Sequence, residues 1–180
     1  MVGFKEWAVV CEALGDGTTS LILRKGGIAE GREGFRFQHP FFFLMPTFFH
    51  EQLAKTRLSA DARLPEPTPG EIQIQFAAQV VWTRLITNRD LLEKIAPWHI
   101  LQPSVVEDRF QYDDTPGINV AFLRVWRLQT VWNFPDAPRY GGCRSWVNLP
   151  EISPDLSCSP VLDEDASQAR SEELSRLLDL

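Results

Sequence analysis

The sequence predicts an α+β fold, with a curved, mostly antiparallel sheet or partly open β-barrel flanked by short helices. Several apolar or alternating runs have the length and the flanking turn residues of β-strands, whereas helical spacing is confined to short segments between them. Hydrophobic residues make up 44% of the 180-residue chain, enough for one sizeable core. We therefore predict one domain over residues 1–150, followed by an acidic linker and a possible short terminal helix over residues 151–180.

The first predicted element is a helix that ends at a glycine. Apolar residues between Phe4 and Leu14 follow helical spacing, and Gly15 stands where a helix would stop. The run Trp7–Cys11 also suits a strand, in which case the glycines that follow it would form a hairpin turn. Both readings remain open, and the helix is favoured.

The most informative stretch is a strand that leads into two cations and two glycines. Three apolar residues, 21–23, suit a buried strand, and Arg24, Lys25, Gly26 and Gly27 follow directly. Glycine allows a ligand to approach the backbone closely. The stretch therefore predicts a stiff strand that holds Arg24 and Lys25 beside a place where a ligand can bind.

The remaining elements alternate along the chain. Strands are predicted at 35–39, 41–45, 71–87, 118–131 and 145–149. Helical segments are predicted at 48–57, 89–96 and 105–110. After Pro150 the composition changes to Ser, Pro and acidic residues, which predicts a flexible tail in which Leu174, Leu177 and Leu178 could form one amphipathic helix.

The net charge of −6 is concentrated in the last thirty residues, which carry eight acidic and two basic side chains. Residues 1–150 are therefore neutral overall, which argues against a broad, nonspecific DNA-binding surface. A nucleic-acid site would have to be a local patch or pocket. The basic residues are mainly arginine, whose planar group suits phosphate and stacked bases.

Several classes of protein are disfavoured by what the sequence lacks. It has no Gly-rich nucleotide-binding motif, no Gly-x-Ser-x-Gly elbow and no cysteine or histidine spacing typical of zinc, so neither a metal nor a cofactor is predicted. No apolar run approaches the roughly 18 residues of a membrane span, and no secretion signal is evident. Three scattered cysteines fit a reducing cytoplasm.

A second dense motif lies near residue 143. Tyr140, Gly142, Arg144 and Trp146 surround a thiol, and the aromatic rings could stack on a planar ligand. Together with Arg24-Lys25-Gly26-Gly27, these residues form the predicted nucleic-acid site.

Two other functions stay open. A hydrolase could be built from His39, His50 and Glu51 around the aromatic strand, with Cys143 as a nucleophile. Alternatively, the chain could be a structural accessory protein whose terminal helix docks on a protein partner.

Motifs in one order resemble the bacterial DUF1802 family of domains of unknown function, over roughly residues 4–149. The residues that carry the resemblance are Lys5-Glu6-Trp7-Ala8-Val9-Val10, Leu23-Arg24-Lys25-Gly26-Gly27-Ile28, Pro46-Thr47 with His50, and Tyr140-Gly141-Gly142-Cys143-Arg144-Ser145-Trp146. The family implies no established activity. Its members' association with restriction-endonuclease-type domains implies a restriction-modification context.

A remoter likeness is to the PUA-like barrels, which include ASCH and EVE domains. The predicted order of helix, glycine turn and strand ending in Arg24 is similar to the opening of those barrels. The ASCH opening reads Gly-x-Lys-x-x-Glu-x-Arg, and here Gly17 and Arg24 match its ends while Thr19 and Ile22 replace its lysine and glutamate. This likeness implies a pocket for RNA or a modified base. We expect a noncatalytic module that binds nucleic acid or a modified nucleotide.

Overall fold

The described residues form seven strands and four α-helices. The computed structural model describes residues 1–25, 35–59, 61–62, 65–152 and 155–180. The strands are β1 (Val2–Trp7), β2 (Leu21–Arg24), β3 (Phe41–Thr47), β4 (Glu71–Ile86), β5 (Ile118–Pro135), β6 (Trp146–Asn148) and β7 (Cys158–Pro160). The helices are α1 (Ala8–Gly15), α2 (Arg89–Ile95), α3 (Pro103–Phe110) and α4 (Glu164–Leu177).

The strands form one mixed and strongly curled sheet, a half-barrel, in the order β2-β5-β4-β3-β1-β6, with β7 paired to β5. Only β1 and β3 are parallel neighbours in the described sheet, and the remaining pairs are antiparallel. The predicted α+β class and the curved, mostly antiparallel sheet are therefore confirmed.

The two longest strands, β4 and β5, cause much of the curl. Their ladder shifts register between Ile74 and Phe76 and again between Val80 and Trp82. Such bulges bend a strand and increase its twist. Both strands contribute to the main core, which includes Phe76 and Phe122, each at most 2% exposed.

The amino terminus differs from the favoured prediction. Residues 2–7 form a strand between β3 and β6, and the helix begins only at Ala8. Both sheet neighbours of this strand are distant in sequence, so the local spacing of apolar residues could not reveal the pairing. The end of the helix at Gly15 is as predicted.

Two other segments also differ. Residues 35–39 alternate between buried and exposed as predicted, but they pair with no strand among the described residues. The predicted helix at 48–57 is reduced to one short 3-10 turn, Leu53–Lys55. In contrast, α2 begins where predicted, because the Asn88 side chain accepts a hydrogen bond from Asp90 N–H at 2.9 Å.

The flexible tail predicted after residue 150 needs correction. Strand β7 pairs with β5, and α4 is capped by Asp163, whose side chain accepts from Ala166 N–H at 2.7 Å. Leu174 and Leu178 are fully buried, and Trp82 Nε1 donates to the Ser171 hydroxyl at 3.0 Å. The apolar face of the helix therefore packs against the chain's own domain, and docking of α4 on a protein partner stays a prediction.

None of the helices in the described segments has the length and apolar character that crossing a membrane requires.

Gly15 marks a place where the core leaves no room for a side chain. A Cβ atom there would lie 2.1 Å from the ring of Phe76. We expect Gly15→Ala to lower the free energy of unfolding by about 2 kcal/mol, the cost of overpacking a core, in urea titrations. Gly70→Ala is the control without overpacking: nothing lies within 4 Å of its Cβ position, so only the strain of alanine at a φ of +76° should lower its stability. A Gly15→Ala variant as stable as the wild type would show that the ring can move aside.

Candidate functional site

Strand β1 places a lysine where the sheet meets the turn around residue 141. Alternation along the strand buries Phe4 and Glu6 and leaves Lys5 half-buried on the other face. Lys5 Nζ donates to the carbonyl of Tyr140 at 2.9 Å and to that of Gly142 at 2.7 Å. The amine is therefore held by two backbone carbonyls of this turn.

The turn is anchored by a buried tyrosine. A 3-10 turn, Pro138–Tyr140, carries the Tyr140 ring into the core, where its centroid lies 5.4 Å from that of Phe134. Its hydroxyl accepts from Arg139 at 2.7 Å. Gly142 follows with a φ of +79°, a conformation that favours glycine. Tyr140 thus positions the turn, and its face is not free to stack on a ligand.

A cleft of about 400 Å³ opens beside Lys5. One wall carries Phe48, which is 40% exposed, and others carry Glu66, Glu71 and Asp136. Its volume falls in the range of about 300–1,000 Å³ that is usual for small-ligand pockets. The cleft combines one cation, an accessible aromatic ring and three carboxylates.

Two arginines lie close enough to Lys5 to affect its pKa, although neither of them lines the cleft. Burial lowers the pKa of Lys5, and the nearby charges of Arg144 and Arg24 lower it further, whereas Cys143 and Asp136 act in the opposite direction. None of the ion pairs found between described residues involves Lys5, Arg24 or Arg144. Lys5 therefore has two arginines and one carboxylate, Asp136, in its electrostatic surroundings.

Arg24 closes the gap between β2 and β1. It donates from a terminal nitrogen to the Lys5 carbonyl at 2.8 Å, and its guanidinium carbon lies 5.2 Å from the centroid of the Phe4 ring. Its Nε is buried without a hydrogen-bond partner in the described part of the chain. Arg24 is therefore directed into the half-barrel and not out into solvent. It could contact only a ligand that enters the half-barrel.

Lys25 is occupied by the protein. Its Nζ lies 3.1 Å from Asp113 Oδ1 and also donates to the Thr115 carbonyl, and its side chain is only 9% exposed. The predicted partners Gly26 and Gly27 lie outside the described residues. Arg24 and Lys25 thus have separate partners, and only Arg24 reaches the Lys5 region.

Trp146 contributes to an aromatic cluster in the core. Its ring lies 4.8 Å from that of Phe4, 5.2 Å from that of Phe42 and 4.9 Å from that of His39, between ring centroids. Its Nε1 is buried without a partner among the described residues. The contacts favour a packing role for Trp146, and its stacking on a ligand stays a prediction.

A buried polar group behind this site was missed by the sequence analysis. Glu6 is 1% exposed, and its Oε1 accepts from Trp7 N–H at 2.8 Å. The guanidinium of Arg109, in α3, lies 4.8 Å from the centroid of the Trp7 ring. Burial lowers the pKa of Arg109, and Glu6 opposes that shift. The motif around Lys5 contained Glu6 and Trp7, but no local pattern linked them to α3.

The two histidines of the predicted hydrolase site lie at opposite ends of one strand. His39 precedes β3 and His50 follows it, so a seven-residue strand separates them by about 20 Å. His50 and Glu51 are exposed, and Glu51 lies 3.9 Å from Lys55. Cys143 is also exposed. Within the described segments, no three His, Cys, Asp or Glu side chains are grouped as metal ligands.

Comparisons with known proteins gave two similar solved structures. One is a single-residue mutant of ASCH from Zymomonas mobilis, with 11% identity, coverage of 96% of this chain and 94% of that chain, and a TM-score of 0.46. The other is ASCH from Zymomonas mobilis, with 12% identity, coverage of 95% and 93%, and a TM-score of 0.44. At these identities and scores, no residue's role passes from those proteins to this chain.

The sequence itself identifies the family. A comparison with curated proteins found no match. The sequence model of the family described as domain of unknown function (DUF1802) matches residues 3–173, which span β1 to most of α4. The match includes Lys5, Arg24 and Arg144, and it confirms the resemblance found in the sequence. The chain belongs to the DUF1802 family.

Proposed function

We propose that this domain is a noncatalytic nucleic-acid binding module that takes one nucleotide of a single strand into the cleft beside Lys5. The observation that carries the proposal is Lys5, which lines a cleft of about 400 Å³ and has Arg24 and Arg144 in its electrostatic surroundings. None of these three cations takes part in the ion pairs of the described residues. A phosphate is the natural partner of such a group.

The opposite side of the cleft suits a base. Phe48 offers an exposed ring, and stacking on an aromatic ring contributes about 1–3 kcal/mol per base. Glu66, Glu71 and Asp136 carry oxygens that can accept from the amino groups of a base. The same carboxylates would repel a second phosphate, which favours entry of one nucleotide over a long stretch of backbone.

An enclosed base is a means of detecting base modification, because added groups alter the fit. We include modified nucleotides and the restriction-modification context in the proposal for that reason. Arg24, Gly142 and Arg144 remain from the predicted site. Lys5 and Phe48 join it, and Lys25 is left out because its charge is neutralised by an ion pair with Asp113.

The test is the salt dependence of binding. We expect the double variant Lys5→Gln/Arg144→Gln to bind a fluorescein-labelled single-stranded oligonucleotide more weakly than the wild type. Each lost phosphate contact should lower the slope of log affinity against log salt by about 0.7. Fluorescence anisotropy at several salt concentrations measures both quantities, with RNA, DNA and duplex probes compared.

The matched control is Lys94→Gln/Arg176→Gln. It makes the same change of charge at two exposed positions on α2 and α4 that do not line the cleft. Binding should be unchanged in this control. Equal losses of affinity in both double variants would mean that binding depends only on overall charge. Unchanged affinity in the Lys5/Arg144 variant would contradict the proposed site.

A further inference from the structure

A second cavity, of about 480 Å³, lies between α2 and α3 and shares no lining residue with the Lys5 cleft. Most of its wall is apolar, formed by Leu92, Ala96, Leu101, Pro103 and Val106. Arg57, Arg89, Glu93 and Glu107 are the charged residues along it. The cavity has the size and the apolar walls of a small-molecule site.

One buried imidazole lines this cavity. His99 is 6% exposed, and its Nδ1 accepts a hydrogen bond from Leu101 N–H at 3.1 Å. A neutral imidazole that accepts at Nδ1 carries its hydrogen at Nε2. Within the part of the chain that the structure describes, no residue accepts from Nε2. His99 thus has a hydrogen-bond donor available for a molecule in the cavity.

The electrostatic environment of His99 favours a negative partner. The charges that act on its ring are those of Arg57 and Arg109, both cations. Arg57 donates to the carbonyls of Ala96 and His99 and takes part in none of the ion pairs of the described residues. In contrast, Arg89 is neutralised by Glu107, with 2.6 Å between nitrogen and oxygen.

The start of α3 adds to this preference. Pro103 and Ser104 open the helix, both line the cavity, and Gln102 provides no side-chain cap. The unpaired N–H groups of a helix start carry partial positive charge. Pro103 carries no N–H, and the N–H groups of Val105 and Val106 donate to the Gln102 carbonyl. This leaves the N–H of Ser104, a residue that lines the cavity together with His99.

From this combination we propose that the cavity between α2 and α3 binds a small organic anion, an aromatic or aliphatic body that carries one carboxylate or sulfonate. The body lies against Leu92, Leu101 and Val106, and the anionic group accepts from His99 Nε2–H. The proposal does not depend on nucleic-acid binding at Lys5.

Anilinonaphthalene sulfonate is a suitable probe, because it combines an apolar aromatic body with one anionic group and fluoresces in apolar sites. We expect saturable binding of one probe molecule per full-length chain at pH 7. His99→Asn should weaken it about tenfold, the loss of one hydrogen bond to a charged group. The asparagine oxygen can still accept from Leu101 N–H, as side chains of this type do two residues along the chain.

A filling variant separates the cavity from other apolar surfaces. Ser104→Trp should abolish probe binding, whereas Asp108→Trp, at an exposed position of α3 outside the cavity, should leave it intact. Thermal unfolding confirms that each variant is folded. Unchanged affinity in both His99→Asn and Ser104→Trp would overturn the site. Equal affinity for the neutral analogue phenylnaphthylamine would overturn the anionic class.

Discussion

Phe4→Ala is expected to lower the free energy of unfolding by about 3–5 kcal/mol, the usual cost of truncating a buried phenylalanine. Phe4 is fully buried, and its ring contacts those of Phe35, Phe42 and Trp146 at centroid distances of 5.9, 5.3 and 4.8 Å. The Arg24 guanidinium also lies against it. Loss of the Phe4 ring therefore leaves a cavity and removes the contact that holds the Arg24 guanidinium inside the half-barrel.

Urea titration measures this effect, and Phe48→Ala is the matched control. Phe48 is 40% exposed, so the same truncation should change the free energy of unfolding by less than about 1 kcal/mol. A loss below about 1 kcal/mol in Phe4→Ala would mean that the aromatic cluster repacks, and the barrel closure by Arg24 would then be independent of Phe4.

Stability should also fall as the pH falls from about 6.5 to 4, because of His99. Burial holds its pKa at about 4, below the usual 6.5, and Arg57 and Arg109 act in the same direction. Above pH 6.5 the ring is neutral in both the folded and the unfolded chain. Between these values only the unfolded chain takes up the proton, so the folded state loses about 3 kcal/mol in total.

The difference in unfolding free energy between the wild type and His99→Asn isolates this contribution, because the acidic residues common to both chains cancel. We expect this difference to shrink by about 3 kcal/mol between pH 7 and pH 4. His50→Asn, at an exposed histidine, is the control for the substitution itself. A flat profile for His99→Asn as well would contradict a buried neutral imidazole.

The central sheet could be predicted because its signals are local. The alternation in β5 and the apolar run in β3 each identify a strand without knowledge of its neighbours. Likewise, Asn88 before α2 marks a helix start by one side chain. These elements were confirmed with shifts of a few residues at their ends.

The site could be predicted only in part, because its geometry depends on distant partners. Arg24 was identified as important, but its direction depends on how closely β2 approaches β1 in the curled sheet. Lys25 looked equivalent in sequence, yet Asp113 binds its amine from a loop nearly ninety residues away. Lys5 was not predicted as a site residue because the segment was assigned to a helix. Residues of a helix do not alternate between two faces as those of a strand do.

The placement of β1 has a consequence for how the chain reaches its final structure. Its neighbours in the sheet are β3, about forty residues later, and β6, where Asn148 pairs with Val2. During synthesis the first strand emerges long before the second of these neighbours exists. Contacts of such high sequence separation slow folding, so the amino-terminal strand should acquire protection from hydrogen exchange among the last parts of the sheet.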